Sequence, residues 1–77
     1  MSREEISRGE RARQILHDEM FQEAIKFIKE DNYKQFLRST DSEDRDEIWR
    51  QQQAIDSFLH RLESVLKTGQ MAAKTNE

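Results

Sequence analysis

Apolar residues recur at alternating intervals of four and three through the second half of the chain. The series is Ile48, Gln52, Ile55, Leu59, Leu62 and Leu66, and Gln52 is its polar exception. Residues at this spacing lie on one face of an α-helix and can meet a partner helix along its length. Trp49 and Phe58 widen the stripe beyond the narrow face of a two-helix coiled coil. The pattern predicts one long helix on which more than one other helix packs.

The limits of this long helix, helix 3, follow from residues that begin and end helices. Thr40 precedes Glu43 by three residues, a capping-box spacing, so helix 3 should begin near residue 43. Gly69 can adopt the left-handed conformation that closes many helices, so we expect the helix to end near residue 68. Residues 1–69 would then form a single domain, and residues 70–77 a frayed tail.

Two shorter helices are predicted before it. Asp18 can cap a helix 2 over about 19–38, and Asp31-Asn32 marks the rival prediction of a break in its middle. We expect it to bury Phe21, Ala24, Ile25, Ile28, Phe36 and Leu37, with Met20 and Phe27 at the flank of this stripe. A short helix 1 over about 7–17 follows from the Ser7 to Glu10 capping-box spacing.

The connection between helices 2 and 3 is short, which predicts an antiparallel helical hairpin in an all-α fold. Helix 3 is the longer partner, so its last turns need cover from helix 1 or from another subunit. We expect self-association to complete the core. The predicted interaction residues are Ile48, Trp49, Gln52, Ile55, Phe58, Leu59, Leu62, Val65 and Leu66.

Two of these residues have a second interpretation. Gln52 could fix the register or the oligomeric state as a buried polar residue, or it could reach water near the end of the hairpin. Trp49 could anchor a partner surface, where tryptophan is enriched, but we favour a place in the core.

Composition supports a helical chain that needs help to fold. The 77 residues include no proline and no cysteine, and 38% are charged. Disulfides are therefore excluded, and two isolated histidines give no zinc site. A chain this short forms a marginal core, which again favours a homo-oligomer.

No combination of residues predicts chemistry. His17 and His60 lack a nucleophile or an oxyanion-binding turn nearby, so we expect no enzyme, no cofactor and no metal. The acidic residues between 41 and 47 do not match an EF-hand loop. No stretch of about 20 apolar residues or signal-peptide core is present, so we predict no membrane contact.

Charge leaves a weaker alternative. Arg8, Arg11 and Arg13 could contact phosphates, but glutamates alternate with them and the net charge is −3. A nucleic-acid binder normally presents a concentrated basic face, so nucleic acid is not the expected partner.

Several segments resemble a group of short helical proteins of tailed bacteriophages. They are RGERARQIL with Arg8, Gly9, Ala12 and Leu16, DEMFQEAI with Phe21 and Ala24, DSEDRDEIW ending in Trp49, and Gly69 after a long helix. The resemblance covers most of the chain and transfers no catalytic residue. It implies a phage product in the cytoplasm of the bacterial host or in the virion.

These observations together predict a non-enzymatic protein for protein binding or assembly, with itself or with a host or phage protein as partner. The alternatives are a small nucleic-acid-associated regulator that uses the three arginines, and an inhibitor whose acidic segment 41–47 occupies a basic groove of a host protein.

Overall fold

The computed structural model describes residues 2–75, which form three α-helices and no strand. They are α1 (Ser2–His17), α2 (Glu19–Arg38) and α3 (Ser42–Thr75). The all-α prediction is confirmed. The limits of α2 agree with the sequence, and the helix passes without a break through Asp31 and Asn32.

The bend between α1 and α2 is a single residue, Asp18. Its backbone is extended, and its carboxylate accepts a hydrogen bond of 2.8 Å from the Phe21 N–H. This contact satisfies one of the free N–H groups of the first turn of α2. The predicted cap at Asp18 is therefore confirmed.

The connection between α2 and α3 is fixed by local polar contacts. The carboxylate of Asp41 accepts a hydrogen bond of 3.0 Å from the Glu43 N–H, so Asp41 caps α3 in place of the predicted Thr40. Arg45 donates through Nε to the Ser39 carbonyl at 3.0 Å, and its guanidinium lies 5.2 Å from the centre of the Phe36 ring. These contacts hold the beginning of α3 against the end of α2.

Helices α1 and α2 lie one after the other along α3. Gly9 contacts Gly69 near one end of the molecule, and Asn32 contacts Gln52 towards the other. We call α1 with residues 60–75 the closed half, and α2 with residues 42–59 the open half. The names reflect packing distance, because α1 lies much closer to α3 than α2 does.

The sequence placed two helix ends wrongly. α1 begins at Ser2 rather than near residue 7, and α3 continues through Gly69 to Thr75. The added turns face each other, since Glu5 of α1 lines the same shallow recess as Met71 and Ala72 of α3. The predicted tail is thus helical as far as Thr75, and residues 76–77 lie outside the described residues. The domain limits remain a prediction.

Gly69 does not close a helix, because it is the point of closest contact between α1 and α3. A β-carbon built on Gly9 would lie 2.8 Å from the Cα of Gly69, and one built on Gly69 would lie 2.8 Å from the Glu5 carbonyl oxygen. Neither glycine has a positive φ. Both positions require glycine, because the absence of a side chain lets the two backbones come into contact.

Little of the molecule is fully buried. Within the described residues the buried apolar side chains are Ala12 in the closed half and Ile48 in the open half. The polar side chain of Asn32 is also buried. The chain measures 55 × 23 × 14 Å, and its radius of gyration is 16.6 Å. A compact domain of this length would have a radius of gyration of about 11.5 Å. The single chain is therefore elongated and thin.

Candidate interaction surface

The predicted stripe on α3 is largely covered by the chain's own helices. Ile48 is buried, and the other apolar members of the four-three series are half-buried. These half-buried residues are Ile55, Leu59, Leu62 and Leu66, together with the flanking Val65. The central part of the predicted interaction surface therefore serves packing within one chain.

Trp49 and Phe58 lie on the exposed margins of the stripe. The Trp49 side chain is 60% exposed, so the prediction that it belongs to the core of the chain is wrong. Phe58 is 53% exposed, although its ring centre lies 6.3 Å from that of Phe21 across the two helices. Both aromatic side chains keep large apolar surfaces available to a partner.

Most of the exposed apolar side chains belong to the open half. Apart from Ile15 and Met71, every large exposed apolar residue of the described chain lies on α2 or on the first half of α3. They are Met20, Phe27, Ile28, Tyr33, Phe36, Leu37, Trp49 and Phe58. The prediction that helix 2 buries Ala24, Ile28, Phe36 and Leu37 is therefore wrong. Contiguous exposed apolar patches of more than a few hundred Å² commonly mark interaction sites.

A groove runs between α2 and α3 in the open half. One section of it is lined by Tyr33, Phe36, Ile48 and Trp49. A second section, nearer the Asp18 bend, is lined by apolar residues that include Leu16, Phe21, Ile25 and Leu59. Lys29 borders both sections, and its ammonium lies 3.6 Å from Asp56 of α3.

A short polar network crosses the floor of the groove. Asn32 is 6% exposed and donates through Nδ2 to Oε1 of Gln52 at 3.4 Å. Gln52 in turn donates to the carboxylate of Asp56 at 3.3 Å, which completes a path to Lys29. Buried polar side chains need such partners, so this network favours one alignment of α2 along α3. Gln52 is half-buried and contacts its own chain here, and its role in register or oligomeric state stays a prediction.

Sequence reasoning missed the role of Asn32 and the place of Tyr33. Asn32 is a poor helix former, but its position seven residues after Ile25 places it on the same face, and this was the available signal. The sequence places Phe27 at the flank of the α2 stripe, where it is exposed, but gives no place to Tyr33.

The single chain exposes more surface than a compact protein of its mass. The chain exposes 6,505 Å². A compact protein of 9.3 kDa exposes about 5,000 Å². The excess of about 1,500 Å² is in the range that one subunit of an obligate homodimer buries.

Charge is divided along the long axis of the molecule. Residues 41–47, at the α2–α3 connection, carry five carboxylates and one arginine. At the opposite end, residues 60–75 carry Arg61, Lys67 and Lys74 against Glu63, and α1 adds a net charge of +1. The acidic end lies on the open half, and the basic end is the closed half.

The three arginines that could contact phosphates do not form one patch. Arg8 and Arg11 are three residues apart on α1, whereas Arg13 is rotated by about 140° from Arg8 about the helix axis. Arg8 lies 3.6 Å from Glu4, and Arg13 donates through Nε to Glu10 at 3.1 Å. The hydrogen bond with Arg13 lowers the pKa of Glu10 and raises that of Arg13, so both groups stay charged at neutral pH.

The described residues offer no cluster of three or more side chains suited to holding a metal ion. None of the three helices, over residues 2–75, combines the length and hydrophobicity needed to cross a bilayer.

No protein-family model matches this chain, and comparison with curated proteins and with solved structures finds no significant similarity.

Proposed function

We propose that this chain is a non-enzymatic assembly protein that associates with itself through its exposed apolar surface. The observation that carries the proposal is the excess of about 1,500 Å² of exposed surface over a compact protein of this mass. Eight large apolar side chains contribute to it on the open half. Burying such side chains stabilises an assembly by about 25 cal/mol per Å² of apolar area, before the costs of association.

The proposal moves the interface away from the centre of the predicted stripe. Leu59, Leu62 and Leu66 are half-buried by α1 and α2, whereas Trp49 and Phe58 keep exposed faces. Self-association would then use the margins of the stripe together with the outer residues of α2. An origin in a tailed bacteriophage, and a place in the bacterial cytoplasm or the virion, belong to the same proposal and rest on the sequence resemblance.

The experiment is a measurement of solution mass by light scattering, from low micromolar to millimolar concentration, with helicity followed by circular dichroism. We expect a mass of two or more chains at the higher concentrations, and helicity that rises with mass. A helical chain that keeps the mass of one copy over the whole range would contradict the proposal.

Two other functions compete with this one, and each has its own observation. The basic closed half would support a nucleic-acid-associated regulator, for which affinity for DNA or RNA must fall steeply with salt. The acidic end at 41–47 would support an inhibitor that binds a basic groove of a host protein. The pairing of Arg8 and Arg13 with glutamates weakens the first, and the second explains none of the exposed aromatic surface.

A further inference from the structure

Eight of the ten large exposed apolar side chains of the described residues lie in one half of the molecule, which limits where a second copy can dock. We infer that two copies pair through their open halves, so that α2 and α3 of each form an antiparallel four-helix bundle while the closed halves project from its ends. This inference rests on the proposed self-association and adds the location and the orientation of the interface.

The closed half has little to offer a partner. Its helices are in contact at Gly9 and Gly69. Within the described residues, Ile15 and Met71 are its only large exposed apolar side chains. In the open half α2 lies farther from α3, and the groove between them exposes Tyr33, Phe36 and Trp49. A second pair of helices that packs on this groove completes a four-helix core.

The area also fits two copies. The chain exposes about 1,500 Å² more than a compact protein of its mass, and each subunit of an obligate homodimer buries about 1,000–2,500 Å². Trp49 lies on the edge of the groove, and tryptophan is the residue most enriched among those that dominate binding energy. We assign Trp49 as the anchor of the pairing.

Repulsion between the acidic ends favours one orientation of the two copies. Parallel copies would place the two acidic ends, each with a net charge of −4 over residues 41–47, side by side. Antiparallel copies separate the acidic ends by the length of the bundle, about 30 Å for a helix the length of α2. Like charges held close together are destabilising, so the antiparallel arrangement is favoured.

Trp49→Glu tests the location, with Met71→Glu as the matched control. Met71 lies on the same helix and is 69% exposed, but it belongs to the closed half. We expect Trp49→Glu to raise the dimer Kd by about 30-fold or more, as for a tryptophan that dominates an interface, while Met71→Glu leaves it within a fewfold. A Trp49→Glu chain that dimerises as tightly as the unsubstituted protein would overturn the inference.

The fluorescence of Trp49 in the unsubstituted chain gives a second test of location, in case Trp49→Glu does not fold. The emission should move to shorter wavelength as the mass doubles, because the indole leaves water. Emission that stays constant while the mass doubles would show that the interface lies elsewhere, with self-association intact. A mass of one chain at every concentration would instead remove both the inference and the proposed function.

A spin label on Thr40→Cys tests orientation, since the chain has no native cysteine and Thr40 is exposed in the α2–α3 connection. Antiparallel pairing predicts an electron–electron distance of about 30 Å or more between the two labels. A short distance would overturn the antiparallel arrangement, and a mass of three or more chains would overturn pairing by twos.

Discussion

Two glycines decide how closely the helices of the closed half approach. In an isolated helix, replacing glycine with alanine is stabilising by about 1 kcal/mol, because alanine has the better helix propensity. At Gly9 the new methyl group would meet the Gly69 backbone at 2.8 Å, and backbone atoms cannot rotate away as a side chain can. The contact therefore reverses the usual sign of the substitution.

We predict that Gly9→Ala lowers the free energy of unfolding by up to about 2 kcal/mol, since an overpacking cost of about 1–3 kcal/mol is offset by a gain in propensity of about 1 kcal/mol. Urea unfolding at fixed protein concentration measures the difference. Gln70→Ala, at an exposed position beside Gly69, is the control and should change stability little. Stabilisation by Gly9→Ala would show that the α1–α3 contact is absent in solution.

The contact between the side chains of Asn32 and Gln52 gives a second prediction about single residues. We predict a coupling free energy of about 0.5–1.5 kcal/mol between them in a double-mutant cycle of Asn32→Ala and Gln52→Ala, as for an ordinary hydrogen bond. The same cycle with Gln53→Ala, an exposed neighbour of Gln52, should give a value near zero. Equal values in the two cycles would mean that Asn32 and Gln52 do not interact.

At the scale of elements, α1 and the end of α3 depend on each other. α1 is 16 residues long, close to the length of about 12–15 residues below which an isolated helix is marginal in water. Glu5 in its first turn lines the same recess as Thr68 and Ala72 of α3, and Gly9 contacts Gly69. The helical structure of the first turns of α1 should therefore be lost when the end of α3 is removed.

We predict that deleting residues 70–77 increases amide hydrogen exchange over residues 2–8 and lowers Tm. A loss of about 1 kcal/mol would correspond to a fall of about 4–8 °C for a chain of this size. Deletion of residues 76–77 alone is the control and should leave both measurements unchanged. If exchange over residues 2–8 is the same in the two deletions, α1 does not depend on the end of α3.

At the scale of the whole molecule, the sequence predicted which segments are helical better than how they pack. Asp18 and the 39–41 connection were recognisable because capping residues act locally. The role of Gly69 was not, since glycine is common both at helix ends and at close helix contacts. Gln70, Met71 and Ala72 are good helix formers and were the available sign that α3 continues.

The candidate surface was predictable only in part. Periodicity found the apolar face of α3, but periodicity does not say how much of that face the chain covers itself. Leu62 and Leu66 are half-buried by the chain's own helices, whereas Trp49 remains exposed. That difference depends on the spacing between helices, which the identity of single residues does not reveal.

The pairing of α1 with the end of α3 also affects the order in which the helix contacts form during synthesis. Gly9 and Gly69 are 60 positions apart, so α1 is synthesised well before the turn of α3 that its backbone contacts. α2 and the first half of α3 are neighbours in sequence and close a much shorter loop, which is faster. On a ribosome, the apolar open half would therefore emerge and meet other chains while α1 still lacks its partner.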